Sequence, residues 1–168
     1  MRGFVLGVVA TVLLMIAGGY LFVRGGGVSL ATTAPPLPLE RTIAKMALSA
    51  SIGNAGGQKD PLPFDDADML AGVDAYKEYC VVCHGAPGRP RTAISNGMFP
   101  SPPQLFEKEG AVTGDPEGVT YWKVTHGIRL SGMPGFGAVL SDTHRWQVTM
   151  LVAHAGRLSG AVEAALRH

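Results

Sequence analysis

The chain has 168 residues, 46% of them hydrophobic and 16% charged, with 23 glycines and 12 prolines. Lys and Arg number 14 against 13 Asp and Glu, and a formal charge of +1 gives no electrostatic footprint for a phosphate backbone, which excludes a dedicated nucleic-acid binder. Two cysteines fall short of the three or four thiolates of a structural zinc or iron–sulfur site.

Met1 and Arg2 precede an uncharged run from Phe4 to Val23, which Arg24 closes. As a helix this run spans about 30 Å, the thickness of a bilayer hydrocarbon core. A secretory signal has a shorter apolar stretch and small residues at its cleavage site, whereas this run ends in Tyr20-Leu21-Phe22-Val23. The one plausible cut, after Ala34, is followed by Pro35. Residues 1–24 therefore read as a retained transmembrane anchor. Arg2 and the α-amino group, set against Arg24, lean towards an N-terminus in the cytoplasm.

Residues 25–63 read as a tether. Gly25-Gly26-Gly27 gives slack and Pro35-Pro36-Leu37-Pro38 an extended stretch. Leu39, Ile43, Met46, Ala47 and Ala50 then recur at helical spacing, which predicts a short amphipathic helix over 39–52 that docks on the globular part or lies on the membrane. Gly56-Gly57 and the prolines at 61 and 63 end that pattern and place a domain boundary near residue 64.

Asp65 or Asp66 can cap a helix running through Leu70, Val73 and Tyr76 to Cys80-Val81-Val82-Cys83-His84. The spacing C-x-x-C-H is the attachment signal for c-type haem: two thiols add to the porphyrin vinyl groups and the next residue offers an imidazole to iron. The rival readings are a thioredoxin-like redox pair, which expects a βαβ context absent here, and a plain disulfide. The imidazole needs an acceptor for its second ring nitrogen, expected among the carbonyls of residues 85–90.

For the sixth ligand the chain offers Met46, Met69, Met98, Met133 and Met150, and His126, His144, His154 and His168. Met133 stands in Leu130-Ser131-Gly132-Met133-Pro134-Gly135-Phe136-Gly137, where no helical stripe claims it and the glycines permit close approach to a flat ring. Met98, in Asn96-Gly97-Met98-Phe99-Pro100, suits the pocket wall, and Met150 suits core packing beside Trp146. His126 falls at the exit of a helix that Asp115 caps and Pro116 opens. A last helix starts at Ser141-Asp142 and carries Trp146, Val148, Met150, Leu151 and Val152.

The pattern Leu70-x-Gly72-x-x-x-Tyr76-x-x-x-Cys80-x-x-Cys83-His84-Gly85, with Gly132-Met133-Pro134 and an aromatic late helix, resembles class I monohaem cytochromes c, in particular the membrane-anchored bacterial kind. The resemblance covers residues 64–158. It implies an all-α fold around one covalent haem c, with the first and last helices crossing where Gly72 and Tyr76 meet Trp146 and its neighbours. Arg129, Trp122 and Tyr121 are candidate donors to the haem propionates.

The function expected is one-electron transfer through a single haem c held by Cys80 and Cys83, with His84 and Met133 as axial ligands. No side chain is assigned a catalytic role and no small-molecule substrate is expected. The partners are redox proteins of an electron-transport chain and, through the N-terminal helix, the membrane, with the haem domain on the outer side. A fixed subunit of a larger membrane oxidoreductase is the first alternative, and an open-haem peroxidase or gas sensor the second. Arg89 and Arg91 are expected to steer an acidic partner towards the haem edge.

Overall fold

A computed structural model describes residues 1–108 and 110–167. Among these the chain is all-α, and the only bridge between extended segments joins Ile128 to Met133. Two compact units are present, Met1–Glu40 and Arg41–His168. In the first, α1 (Arg2–Arg24) is long and apolar enough to cross a membrane, and none of its residues is buried.

The second unit opens with α2, Glu40–Ile52, of which Glu40 lies across the division. A 3-10 turn, Gly53–Gly57, follows and packs on α6 (Glu117–His126). A Cβ at Gly56 would lie 3.0 Å from Val119 Cγ2 and 3.5 Å from Ile52 Cγ2, so backbone, not side chain, fills that space.

The core lies where α3 (Asp66–Tyr79) meets α7 (Asp142–Ala153). Both helices begin with side-chain caps that satisfy orphan amides: Asp65 accepts from the Asp68 amide at 2.9 Å and Ser141 from the His144 amide at 3.1 Å. Met69, Val73 and Tyr76 of α3 pack with Val148, Met150, Leu151 and Val152 of α7, all essentially removed from water. Gly72 is the contact that permits this crossing, because a Cβ there would run into the Gln147 carbonyl. Gln147 then reaches back to donate to Asp68 Oδ1 at 2.7 Å.

Beside this crossing Tyr76 sets its ring edge-on to Phe106, at 5.2 Å between centroids, and Trp146 stacks on Tyr121 at 4.0 Å. Two features depart from the sequence reading. Asp115 does not cap α6, whose N-terminus has no side-chain cap; its carboxylate pairs with Lys123 at 3.6 Å. A further helix, α8 (Gly160–Arg167), buries Val162 and Leu166 against α3, and Lys77 of α3 donates to the Ala165 carbonyl. Lys77 and Arg89 thus serve the carbonyls that a helix C-terminus leaves open.

Candidate haem site

The attachment segment begins where α3 ends. Cys80 closes α3 and opens α4 (Val81–His84), a single turn that ends at Gly85. Both cysteines are free thiols and half-buried. Burial, with Cys83 adding to it, pushes the Cys80 thiol up to about 12. Disulfide exchange needs a lowered thiol pKa, so this environment opposes the thioredoxin-like reading.

Residues 102–105 bracket the turn. His84 Nδ1 lies 2.8 Å from the Pro103 carbonyl oxygen, an acceptor, so Nδ1 carries the proton and Nε2 keeps its lone pair free. The acceptor is therefore not among residues 85–90, as the sequence suggested, but nineteen positions along the chain. Gln104 Nε2 donates to the Cys83 carbonyl at 3.0 Å and the Leu105 amide to the His84 carbonyl at 3.3 Å. The Tyr76 hydroxyl donates to the Gly85 carbonyl at 2.7 Å. Burial pulls the His84 imidazole below its ordinary range, partly offset by the Pro103 hydrogen bond. A neutral imidazole with one nitrogen clamped is what iron ligation requires.

Met133 lies half-buried in a loop pinned to the end of α6. The Ile128 amide donates to the Met133 carbonyl at 3.0 Å, and the amides of Phe136 and Gly137 donate to the carbonyls of Val124 and Thr125 at 2.9 and 3.0 Å. Gly127 makes this possible: its φ is +69°, and a Cβ there would meet Gly135 N and the Met133 carbonyl at 2.6 Å. Arg145 of α7 ties down the next stretch by donating to the carbonyls of Gly137 and Leu140, at 3.1 and 2.9 Å.

Two contacts connect this loop to the attachment side. Tyr79, the residue before Cys80, faces Phe136 at 5.8 Å between rings. Met98 follows α5 (Ala93–Gly97), which packs on α4. Its methyl reaches Gly132, where a Cβ would sit 2.7 Å from it. Met98 and Met133 thus converge on one region.

The other candidates lie elsewhere. Met69 and Met150 are core residues, and Met46 is exposed on α2. His126 is exposed beside Trp122, with rings 4.8 Å apart. His154 packs on Phe64 and places Nδ1 2.8 Å from the Met150 carbonyl. His144 is exposed in the first turn of α7, and His168 lies outside the described residues.

Of the residues considered for the propionates, Arg129 is exposed, and the Tyr121 hydroxyl donates to Asp142 while accepting from Arg145 at 3.2 Å. Arg89 and Arg91 are also engaged. Arg89 donates to the Arg167 carbonyl at 2.6 Å, and Arg91 to Ser95 Oγ and the Pro102 carbonyl at 3.2 and 3.0 Å. Arg91 thereby supports the segment that holds His84.

The family described as cytochrome c oxidase, cbb3-type, subunit III matches residues 67–150, half of the chain. The chain belongs to this family. No curated protein matches it. The matched residues run from the start of α3 into α7 and include the attachment turn, its bracket and the Met133 loop. They form a cytochrome c domain, an electron-transfer module that carries haem c. The local chemistry agrees with that cofactor: paired free thiols, a neutral imidazole with one nitrogen clamped, and thioether side chains gathered near a glycine-lined loop. As a member of a cbb3 subunit family, the chain has redox partners in an electron-transport complex.

Proposed function

We propose that the chain carries one haem c, joined by thioethers to Cys80 and Cys83, with His84 Nε2 and the Met133 thioether as axial ligands. When bound, the haem supplies a ferric/ferrous couple that takes up and releases single electrons. This chain's residues do the rest. Pro103 orients His84, Gln104 and Tyr76 hold the attachment turn, and the α6 carbonyls hold the Met133 loop. With both axial positions filled by side chains, no place remains for a substrate, and the domain is an electron carrier rather than an enzyme. The observation that carries the proposal is the His84 to Pro103 hydrogen bond, which occupies Nδ1 and leaves Nε2, on the far side of the ring, as the nitrogen with a free lone pair.

The same reading assigns residues 1–24 as a membrane anchor and 64–168 as the haem-carrying part, facing the outer side of the cytoplasmic membrane within a respiratory chain. The uncharged span and the Arg2 side of the charge balance support the orientation. Redox titration of the purified holoprotein is the test. A single one-electron wave, with haem retained after denaturation and no rapid carbon monoxide binding to the ferrous form, is expected. Two waves, or immediate carbon monoxide binding, would overturn the one-haem, six-coordinate assignment. Co-purification of an oxidase core would identify the chain as a fixed subunit, and its absence a mobile carrier.

A further inference from the structure

We infer that the outward face of α2 lies on the surface of the bilayer that α1 spans, bound to anionic lipid headgroups; this rests on the anchor reading above. The helix has two apolar faces. Leu48 and Ile52 are half-buried and line a groove with Pro116 and Val119. On the opposite side, about 180° away at 100° per residue, Ile43 and Met46 are 61% and 67% exposed. Ala50 continues that stripe and is exposed as well. A helix that needed only to cap the domain has no use for the second stripe.

The chain itself indicates what covers it. Residues 25–39 connect the end of α1 to the start of α2 and reach at most about 50 Å when fully extended, so a bilayer entered by α1 is held permanently near α2 at high effective concentration. Between residues 41 and 59 there is no acidic side chain, while Arg41, Lys45 and Lys59 are cationic. Glu40 precedes this stretch, and the acidic residues resume at Asp60 and continue through Asp65, Asp66, Asp68, Asp74 and Glu78. A short apolar stripe on a helix whose one acidic residue is Glu40 in the first turn, with the cations Arg41 and Lys45 off that stripe, matches the interfacial type, which binds weakly alone and firmly when a second attachment is present. Lipid contact by α2 would fix the height of the domain above the membrane and confine it to a plane.

The full-length holoprotein with Met46→Cys or Ser49→Cys, labelled with an environment-sensitive fluorophore, tests this in nanodiscs of equal phosphatidylglycerol and phosphatidylcholine. Ser49 lines the groove on the domain side. The expected result is a blue-shifted emission at position 46 and quenching by doxyl lipids at least threefold stronger than at position 49, falling by half or more in phosphatidylcholine alone. Equal quenching at both positions, or none in protein that co-elutes with the discs, overturns the α2 proposal and leaves the anchor standing. Insensitivity to headgroup charge overturns the anionic-lipid assignment. Failure to co-elute overturns the anchor and the α2 proposal together. Protein without an added cysteine should take no label, because Cys80 and Cys83 are consumed as thioethers.

Discussion

His84 donates from Nδ1 to the carbonyl oxygen of Pro103 across 2.8 Å. One hydrogen bond thus fixes the tautomer and the ring plane of the residue placed to meet iron, and it comes from a segment that also touches Cys83 through Gln104. The bracket is a backbone feature supported by side chains, so its strength is accessible through those side chains.

Gln104 is 5% exposed, and its amide is what pairs the Cys83 carbonyl. Gln104→Leu keeps the volume and removes the donor, leaving a partly buried carbonyl without a partner at a cost of about 1–3 kcal/mol. Urea denaturation of the holoprotein should show that loss while the haem stays covalently attached. An unchanged midpoint would mean that the bracket does not depend on Gln104.

At the helix crossing, Gly72→Ala inserts a methyl group where the Gln147 carbonyl already stands. Parting α3 and α7 enough to admit it should cost about 1–3 kcal/mol. The same substitution at Gly57, which has open space around it, is the control. Thermal unfolding should separate the two variants clearly.

Asp142 provides a pH test with a defined sign. Hydrogen bonds from the Tyr121 hydroxyl and the Arg145 guanidinium hold its carboxyl below the ordinary 3.8. A carboxylate whose pKa is lower folded than unfolded adds stability that is complete above the unfolded value and disappears as pH falls through the folded one. Wild type should therefore exceed Asp142→Asn in stability at neutral pH, and the gap should close below about pH 4. The effect is small, since the Asp142 side chain is 66% exposed. A gap that persists into acid would place the role of Asp142 in something other than its charge.

Much of the site was legible because its signals are local. The Asp65 and Ser141 caps, the C-x-x-C-H turn and the Gly-Met-Pro-Gly loop each declare themselves within a few residues. The bracket at Pro103 and Gln104 does not, because a carbonyl has no sequence signature and an isolated glutamine has many possible partners. Arg145 was missed for the same reason, its targets being the carbonyls of Gly137 and Leu140. Val162 and Leu166 do carry a readable i, i+4 spacing behind Ser159, whose hydroxyl accepts from the Val162 amide, but eight residues at a chain end give little pattern to weigh. Arg89 and Arg91 looked like free surface cations because their acceptors, the carbonyls of Arg167 and Pro102, are brought to them only by folding.

The most direct test of iron ligation by Met133 is optical spectroscopy of the ferric protein in wild type, Met133→Ala and Met98→Ala. A sulfur-to-iron charge-transfer band is expected in wild type and in Met98→Ala. In Met133→Ala the band should be lost, with covalent haem retained, a lower potential and new carbon monoxide binding in the ferrous form. Survival of the band in Met133→Ala and its loss in Met98→Ala would transfer ligation to the methionine beside Gly132, and a wild type with no band would contradict thioether ligation altogether.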